Sequence, residues 1–177
     1  MKLFNCFWLV RNLDLYHYDI RSLAGIENFK NLKTLSLEEN KIEDLSPFSG
    51  LRKLKELNLC NNNIRDISTL VHCKNLKKLN IEGNKIKDLS PLTKLKKLKK
   101  LNIYNNDFKH ISDLYNCKKL KELYIYHPQI MDYKQLSNIP NLKTLYVNYF
   151  ETNSDDIQEL QNYLPNCKIE VIWGYIF

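Results

Sequence analysis

The sequence is short of almost everything that a catalytic or membrane-embedded chain uses. Its 177 residues include only four glycines, and they form no Gly-rich phosphate loop. There is no HExxH, no GxSxG and no acidic metal cluster, so the common zinc-peptidase and serine-nucleophile signatures are missing. No run approaches the roughly 18 apolar residues that a membrane span requires. Cysteine occurs five times, at positions 6, 60, 73, 117 and 167, an odd number with no CxxC and no zinc-like Cys/His spacing. Free thiols in a reducing, cytoplasmic setting are the simplest reading. The opening MKLFNCFWLV has a short apolar run but no small-residue cleavage site, since Arg11 and Asn12 follow, so it reads as folded structure rather than a signal. No enzymatic activity, metal or cofactor is expected.

What is present is repetition. Steps of 22 residues from Val10 meet Leu32, Leu54, Leu76, Leu98, Leu120, Leu142 and Leu164. Steps from Leu13 meet Leu35, Leu57, Leu79, Leu101, Leu123 and Leu145, and steps from Leu15 meet Leu37, Leu59, Ile81, Ile103, Ile125 and Val147. The unit reads LxxLxLxxNxI, as in LKTLSLEENKI at 32–42. The LxL alternation is a short strand with two apolar side chains facing inward. The link that follows buries two ladders: Phe4, Ile26, Phe48, Leu70, Leu92, Leu114, Leu136, and Phe7, Phe29, Leu51, Cys73, Leu95, Cys117, Ile139. Ser46-Pro47 and Ser90-Pro91 look like a helix N-cap followed by proline at the first helical position. Asp44, Asp66, Asp88 and Asp132 precede these turns and should tie down their backbone.

This pattern resembles the leucine-rich repeat family in its 22-residue form, the form of protein phosphatase 1 regulatory subunits and bacterial internalins. The resemblance covers nearly the whole chain. It implies an α/β fold: a right-handed solenoid (horseshoe) with a concave parallel β-sheet and short helical turns on the convex side. It implies a single domain over residues 1–177, with a half-repeat at 1–9, seven repeats at 10–163 and a capping segment at 164–177. It also implies that Asn40, Asn62, Asn84 and Asn106 hydrogen-bond backbone in the turn after each strand; Tyr18, Pro128 and Phe150 stand in their place elsewhere. About partners it says little, because such repeats serve many.

The two ends differ from the middle. Phe4, Phe7 and Trp8 lie near an N-terminal end with no polar cap, so that edge is a candidate for self-association. Near the other end, SDDIQELQNYLPN at 154–166 reads as an α-helix with Ser154 as its N-cap. A last strand, CKIEVIW at 167–173, should follow, and Trp173, Tyr175 and Phe177 should cover the edge. Similar LPNCKI-type endings close many leucine-rich repeat chains.

The expected exposed positions of the sheet are uneven. KELNLCNNNI at 55–64 becomes KELYIYHPQI at 121–130 three repeats later: the apolar frame is kept and the exposed positions turn aromatic. The C-terminal third gathers Tyr104, Tyr124, Tyr126, His127, Tyr146 and Tyr149, and tyrosine suits binding hot spots. Glu38, Glu56 and Glu82 make the middle acidic. Cys60 should lie between Glu38 and Glu82, which would raise its pKa rather than activate it. Cross-strand tyrosine ladders also stabilise sheets, which is the plainer reading of the same residues.

Basic residues fall into columns too: Arg11, Lys33, Lys55, Lys77, Lys99, Lys121, Lys143 at the strand entrances, and Lys30, Arg52, Lys74, Lys96, Lys118 on the convex side. With a net charge of +7, such a stripe can track a phosphate backbone or simply keep a solenoid soluble. It lies off the aromatic patch, which argues against a single-strand site that combines stacking with phosphate contacts. The function expected is a non-catalytic module that binds a protein partner on the concave face, with no membrane contact. A nucleic-acid binder using the lysine ladders and a self-associating structural repeat are the alternatives. The lysine-, asparagine- and tyrosine-rich usage fits an AT-rich genome of a virus, an intracellular bacterium or a protist, a setting for a host- or competitor-directed binder.

Overall fold

The structure is a computed structural model and describes residues 6–125, 132–149 and 152–172. Its frame is one eight-stranded parallel sheet whose strands follow one another in chain order. The strands are β1 (Asn12–Asp14), β2 (Thr34–Ser36), β3 (Glu56–Asn58), β4 (Lys78–Asn80), β5 (Lys100–Asn102), β6 (Glu122–Tyr124), β7 (Thr144–Asn148) and β8 (Lys168–Ile172). Strands β1 to β6 are each centred on a leucine of the inward column, which Leu145 of β7 and Ile169 of β8 continue; Leu13 pairs with Leu35, Leu35 with Leu57, and so on to Leu123 with Leu145. An uninterrupted 22-residue period leaves no other register, since a slip of one residue would turn every leucine outward.

Short 3-10 turns return the chain from one strand to the next, as at Ser46–Gly50, Ser68–His72, Ser90–Lys94 and Ser112–Asn116. Phe48, Leu70, Leu92, Leu114 and Leu136 sit fully buried in successive turns. The serines do not cap these turns as expected. Ser46, Ser68 and Ser90 instead donate from N–H and hydroxyl to Asp44, Asp66 and Asp88, at 2.6–2.9 Å. A carboxylate two residues back reaches both donors at once, which a serine cap cannot do.

Asn40, Asn62, Asn84 and Asn106 are buried and carry the post-strand turn, as the family resemblance implied. Asn62 shows the wiring: Oδ1 accepts from the Ile42 N–H at 3.0 Å, and Nδ2 donates to the carbonyls of Leu37, Leu59 and Cys60 at 2.9–3.1 Å. Each asparagine thus joins its own turn to the preceding repeat. One position earlier, His17, Glu39, Asn61, Gly83 and Asn105 all adopt left-handed backbone, with φ between 52 and 62°. That column turns the chain out of the strand; it was expected to be sheet surface. Tyr149 occupies the same repeat position but is not left-handed, because β7 runs on to Asn148.

The last repeat is longer. An α-helix, α1 (Ser154–Tyr163), replaces the 3-10 turn, and Thr144 pairs with Lys168, an offset of 24 residues. Its N-cap is Asn153, not Ser154: Asn153 Oδ1 accepts from the N–H groups of Asp155 and Asp156, and the Asp156 carboxylate accepts from the Asn153 N–H. This is a full capping box, and amide and carboxylate together satisfy more helix-end donors than one serine would. At the opposite end Phe7 packs edge-on against Phe29, centroids 4.7 Å apart. An apolar hollow of about 450 Å³ opens there between Phe7, Leu13, Leu15, Ile20 and Phe29. Phe4, Pro128, Ile130, Phe150, Trp173, Tyr175 and Phe177 lie outside the described residues.

Candidate interaction surface on the sheet

The open face of the sheet, expected to be concave and solvent-exposed, is partly closed by its own side chains. Asn80, Asn102, Glu82, Cys60 and Tyr124 are all 5% exposed or less, so the expectation that their columns stand free fails at the centre. In-register strands lie about 4.8 Å apart, close enough for medium-sized side chains on neighbouring strands to bond across and cover one another. The column between the two leucines does this. Asn58, Asn80 and Asn102 each cap an N–H two residues on, at 3.0–3.1 Å. Asn58 also donates to Glu38, and Asn102 to Glu82, at 2.6 Å each.

The three acidic candidates therefore have different situations. Glu56 is half-exposed and paired with Lys78 at 3.2 Å. Glu38 is half-buried on Asn58. Glu82 is 2% exposed, and its second oxygen, Oε1, has no hydrogen-bond partner. Burial pushes the Glu82 carboxyl up to about 7, and Glu38 adds to the push against the opposing bond from Asn102. Beside it the Cys60 thiol is held far above its ordinary value, first by burial and then by Glu82 and Glu38. The neighbouring carboxylates act in the expected sense, but burial is the larger cause. Cys73, Cys117 and Cys167 are also free, buried and raised.

Of the aromatic candidates, Tyr124 and Tyr146 form a face-to-face stack, centroids 3.8 Å apart and planes 6° from parallel. The register of β6 on β7 sets the two directly opposite. Lys100 Nζ stands 5.0 Å from the Tyr124 ring centroid and 3.8 Å from Glu122. Burial is the first cause raising both phenols, and Tyr146 reaches about 12, so the pair is neutral over the physiological range. Tyr104 is half-buried and its hydroxyl accepts from Asn148 Nδ2 at 3.2 Å, spanning over β6. Tyr149 is 47% exposed. The structure thus gathers Tyr104, Tyr124, Tyr146 and Tyr149 at one end of the face. Tyr126 and His127 lie outside the described residues. Sequence reasoning missed Lys100 and Asn148, which brace the aromatics; their place in the repeat beside tyrosine columns was the available signal.

A pocket of about 180 Å³ lies in the middle of the face between Thr34, Ser36, Glu56, Asn58, Lys78 and Lys100, below the usual size of a small-molecule site. Among the described residues no group of three or more His, Cys, Asp or Glu is placed to hold a metal, and no helix is long and apolar enough to cross a membrane.

Comparison with known proteins agrees with this architecture. A leucine-rich repeat family model matches residues 30–86, and a two-copy leucine-rich repeat model matches 74–116. A search of curated sequences returns no match. Among solved structures, internalin C2 of Listeria monocytogenes is similar at 26% identity and a TM-score of 0.78, over 94% of this chain and 75% of that one. The internalin inlF of Listeria monocytogenes follows at 21% and 0.59, over 96% and 70%. The plant peptide hormone receptor RGFR1, solved in complex with RGF2, shares the fold at 21% and 0.57, over 84% of this chain and 26% of the receptor.

Proposed function

The chain belongs to the leucine-rich repeat family, and on that footing we propose that it is a single-domain, non-catalytic module that binds a protein partner at the C-terminal end of its open sheet face. The observation that supports this most is the braced aromatic cluster. Tyr124 and Tyr146 are locked ring on ring, and Tyr104 is tied to Asn148. Ordered tyrosines lose little further freedom on binding, so more of their contact energy reaches the complex. Tyr146 and Tyr149 are the anchors that a partner touches. Tyr124 acts from beneath as the platform for Tyr146, and Tyr126 and His127 extend the proposal along the sequence. Glu38 and Glu56 give the adjoining surface its preference for basic partner groups, while Glu82 is too enclosed to contact a partner directly.

Affinity capture from the native host, with wild type and a Tyr146→Ala/Tyr149→Ala variant compared side by side, tests this reading. The double variant keeps its fold by circular dichroism and loses a specific partner, with affinity down roughly 30-fold or more for a hot-spot residue. Equal recovery of every captured protein by the variant would falsify the proposal. A second reading, self-association through the N-terminal edge, rests on the open apolar hollow and on Trp8 and Leu9, which are 66% and 80% exposed. It predicts a mass in light scattering that rises with concentration and returns to the monomer value in Leu9→Glu.

A further inference from the structure

The net charge of +7 conceals a strong separation. Fifteen of the 27 basic residues occupy three neighbouring positions of the repeat, the two before its first leucine and the one after it, and no acidic residue occupies any of them. The other 12 basic residues share the rest of the molecule with all 20 acidic ones. That places a formal +15 on the strand-entrance edge and −8 everywhere else. From Lys30 to Lys121 the three columns contain nothing but lysine, arginine and asparagine.

The fold sets these side chains on successive rungs joined by backbone hydrogen bonds. At each rung the N–H of the strand-entrance residue donates to the carbonyl of its counterpart one repeat earlier, as from Lys77 to Lys55, Lys99 to Lys77 and Lys121 to Lys99, at 2.7–2.8 Å. All fifteen side chains are exposed except Lys33, which is half-buried. Among the described residues, lysine–carboxylate pairs form at Lys41, Lys78, Lys100 and Lys168, none of them on this edge. Lys53 and Lys97 reach only the neutral amides of Asn31 and Asn75. A soluble surface would intersperse charges of both signs; here like charges are stacked with no internal compensation.

We propose that this edge is a docking surface for the phosphate backbone of a double-stranded nucleic acid, bound without reading its sequence. Rungs about 4.8 Å apart carry the columns from Arg11 to Lys143 over about 29 Å, or about one positive charge per 2 Å. A duplex carries one negative charge per about 1.7 Å of axis, so the two densities match. A single strand offers about half that density and is held by aromatic stacking, whereas on the rungs from Arg11 to Lys143 the three columns hold one aromatic, Trp8, on the first rung. A lipid surface is the poorer fit, because stable anchoring needs an apolar companion to the basic patch. The exposed pair Trp8-Leu9 lies at one end, and the rungs from Lys30 to Lys121 have no apolar side chain in these columns. The edge is separate from the aromatic end of the sheet face, so the proposal stands apart from partner binding there.

Fluorescence anisotropy with a labelled 24-base-pair duplex of mixed sequence, as DNA and as RNA, tests it on the full chain. Binding in the micromolar range at 50 mM salt is expected, weakening about 1,000-fold by 200 mM for roughly six phosphate contacts. Reversing three exposed rungs, Lys77→Glu, Lys99→Glu and Lys121→Glu, weakens it at least 30-fold and lowers the salt slope by about three. The triple glutamine variant of the same rungs repeats the test without added negative charge. Reversing Arg65, Lys87 and Lys109, which changes net charge equally off the edge, costs less than threefold. The tighter of the two duplexes identifies the source of the phosphate backbone. Absence of binding to either at 20 mM salt, equal loss in the off-edge variant, or tighter binding to phosphatidylserine vesicles than to duplex each overturns the proposal.

Discussion

Asn84→Ala lowers the stability of the protein by about 3–4 kcal/mol. Asn84 is 6% exposed. Its Oδ1 accepts from the Ile64 N–H at 3.0 Å, and its Nδ2 donates to the carbonyls of Leu59, Ile81 and Glu82 at 2.9–3.0 Å. Two hydrogens serve three carbonyls, so one N–H is shared. The methyl group of alanine replaces none of this, and each buried backbone group left without a partner costs about 1–3 kcal/mol. The damage is not local, because Asn84 bonds backbone of the preceding repeat as well as its own, and a solenoid holds together through nearest-neighbour interfaces. Urea denaturation measures the loss. Asn63→Ala, which removes only an exposed bond from Lys85, shifts stability by about 0.5 kcal/mol or less. If the two variants differ by under 1 kcal/mol, water replaces the Asn84 bonds and the turn does not depend on them.

Glu82→Gln has the opposite sign. The folded carboxyl titrates near 7 against an ordinary 4.5, because burial penalises its charge. Below pH 4.5 the group is protonated in folded and unfolded chains alike and costs nothing. Between 4.5 and 7 the unfolded chain gives up its proton while the folded chain keeps it, so stability falls as pH rises. Above 7 the folded chain must carry the buried charge, at a cost on the order of 3 kcal/mol. Glutamine still offers Asn102 an acceptor and has no charge to bury, but its N–H group meets the same unpartnered environment as Oε1. The expected net gain at pH 8 is therefore about 1–2 kcal/mol, with no gain at pH 4. Urea midpoints from pH 4 to 8 for both proteins test this, since the difference between them removes every other titrating group. A constant difference across that range would show that Glu82 does not titrate in it.

The two variants mark the line between what was legible in the sequence and what was not. Asn84 could be read as structural because the family resemblance assigns that turn to its column, and the repeat runs through the strands to β7 without an insertion, so the asparagines share one position. Glu82 could not be read as enclosed. Its repeat position also holds Tyr16, which is exposed, and Cys60, which is buried. Such a position closes only when the side chains on both adjoining strands lean over it. The same holds for Tyr124, whose burial depends on Tyr146 lying flat against it. The left-handed turn at His17, Glu39, Asn61 and Asn105 was hidden for a different reason. Asparagine, glycine and histidine favour such backbone, but Glu39 adopts it only because tertiary bonds hold the turn, and its identity gives no sign of it.

Periodicity determined the strand register as far as β7, the inward leucine frame and the basic columns, because an uninterrupted 22-residue spacing admits one way to stack the chain; the asparagine turns followed from the family resemblance. The tertiary structure alone decided which surface positions remain open. Exposure on a packed sheet belongs to groups of neighbouring side chains, and no single column of the repeat contains that information. It therefore turned a row of expected tyrosine anchors into a buried platform, Tyr124, with the half-buried ring of Tyr146 upon it and Tyr149 exposed at the same end. It also turned an acidic patch into one ion pair, one braced carboxylate and one enclosed carboxyl that titrates near 7.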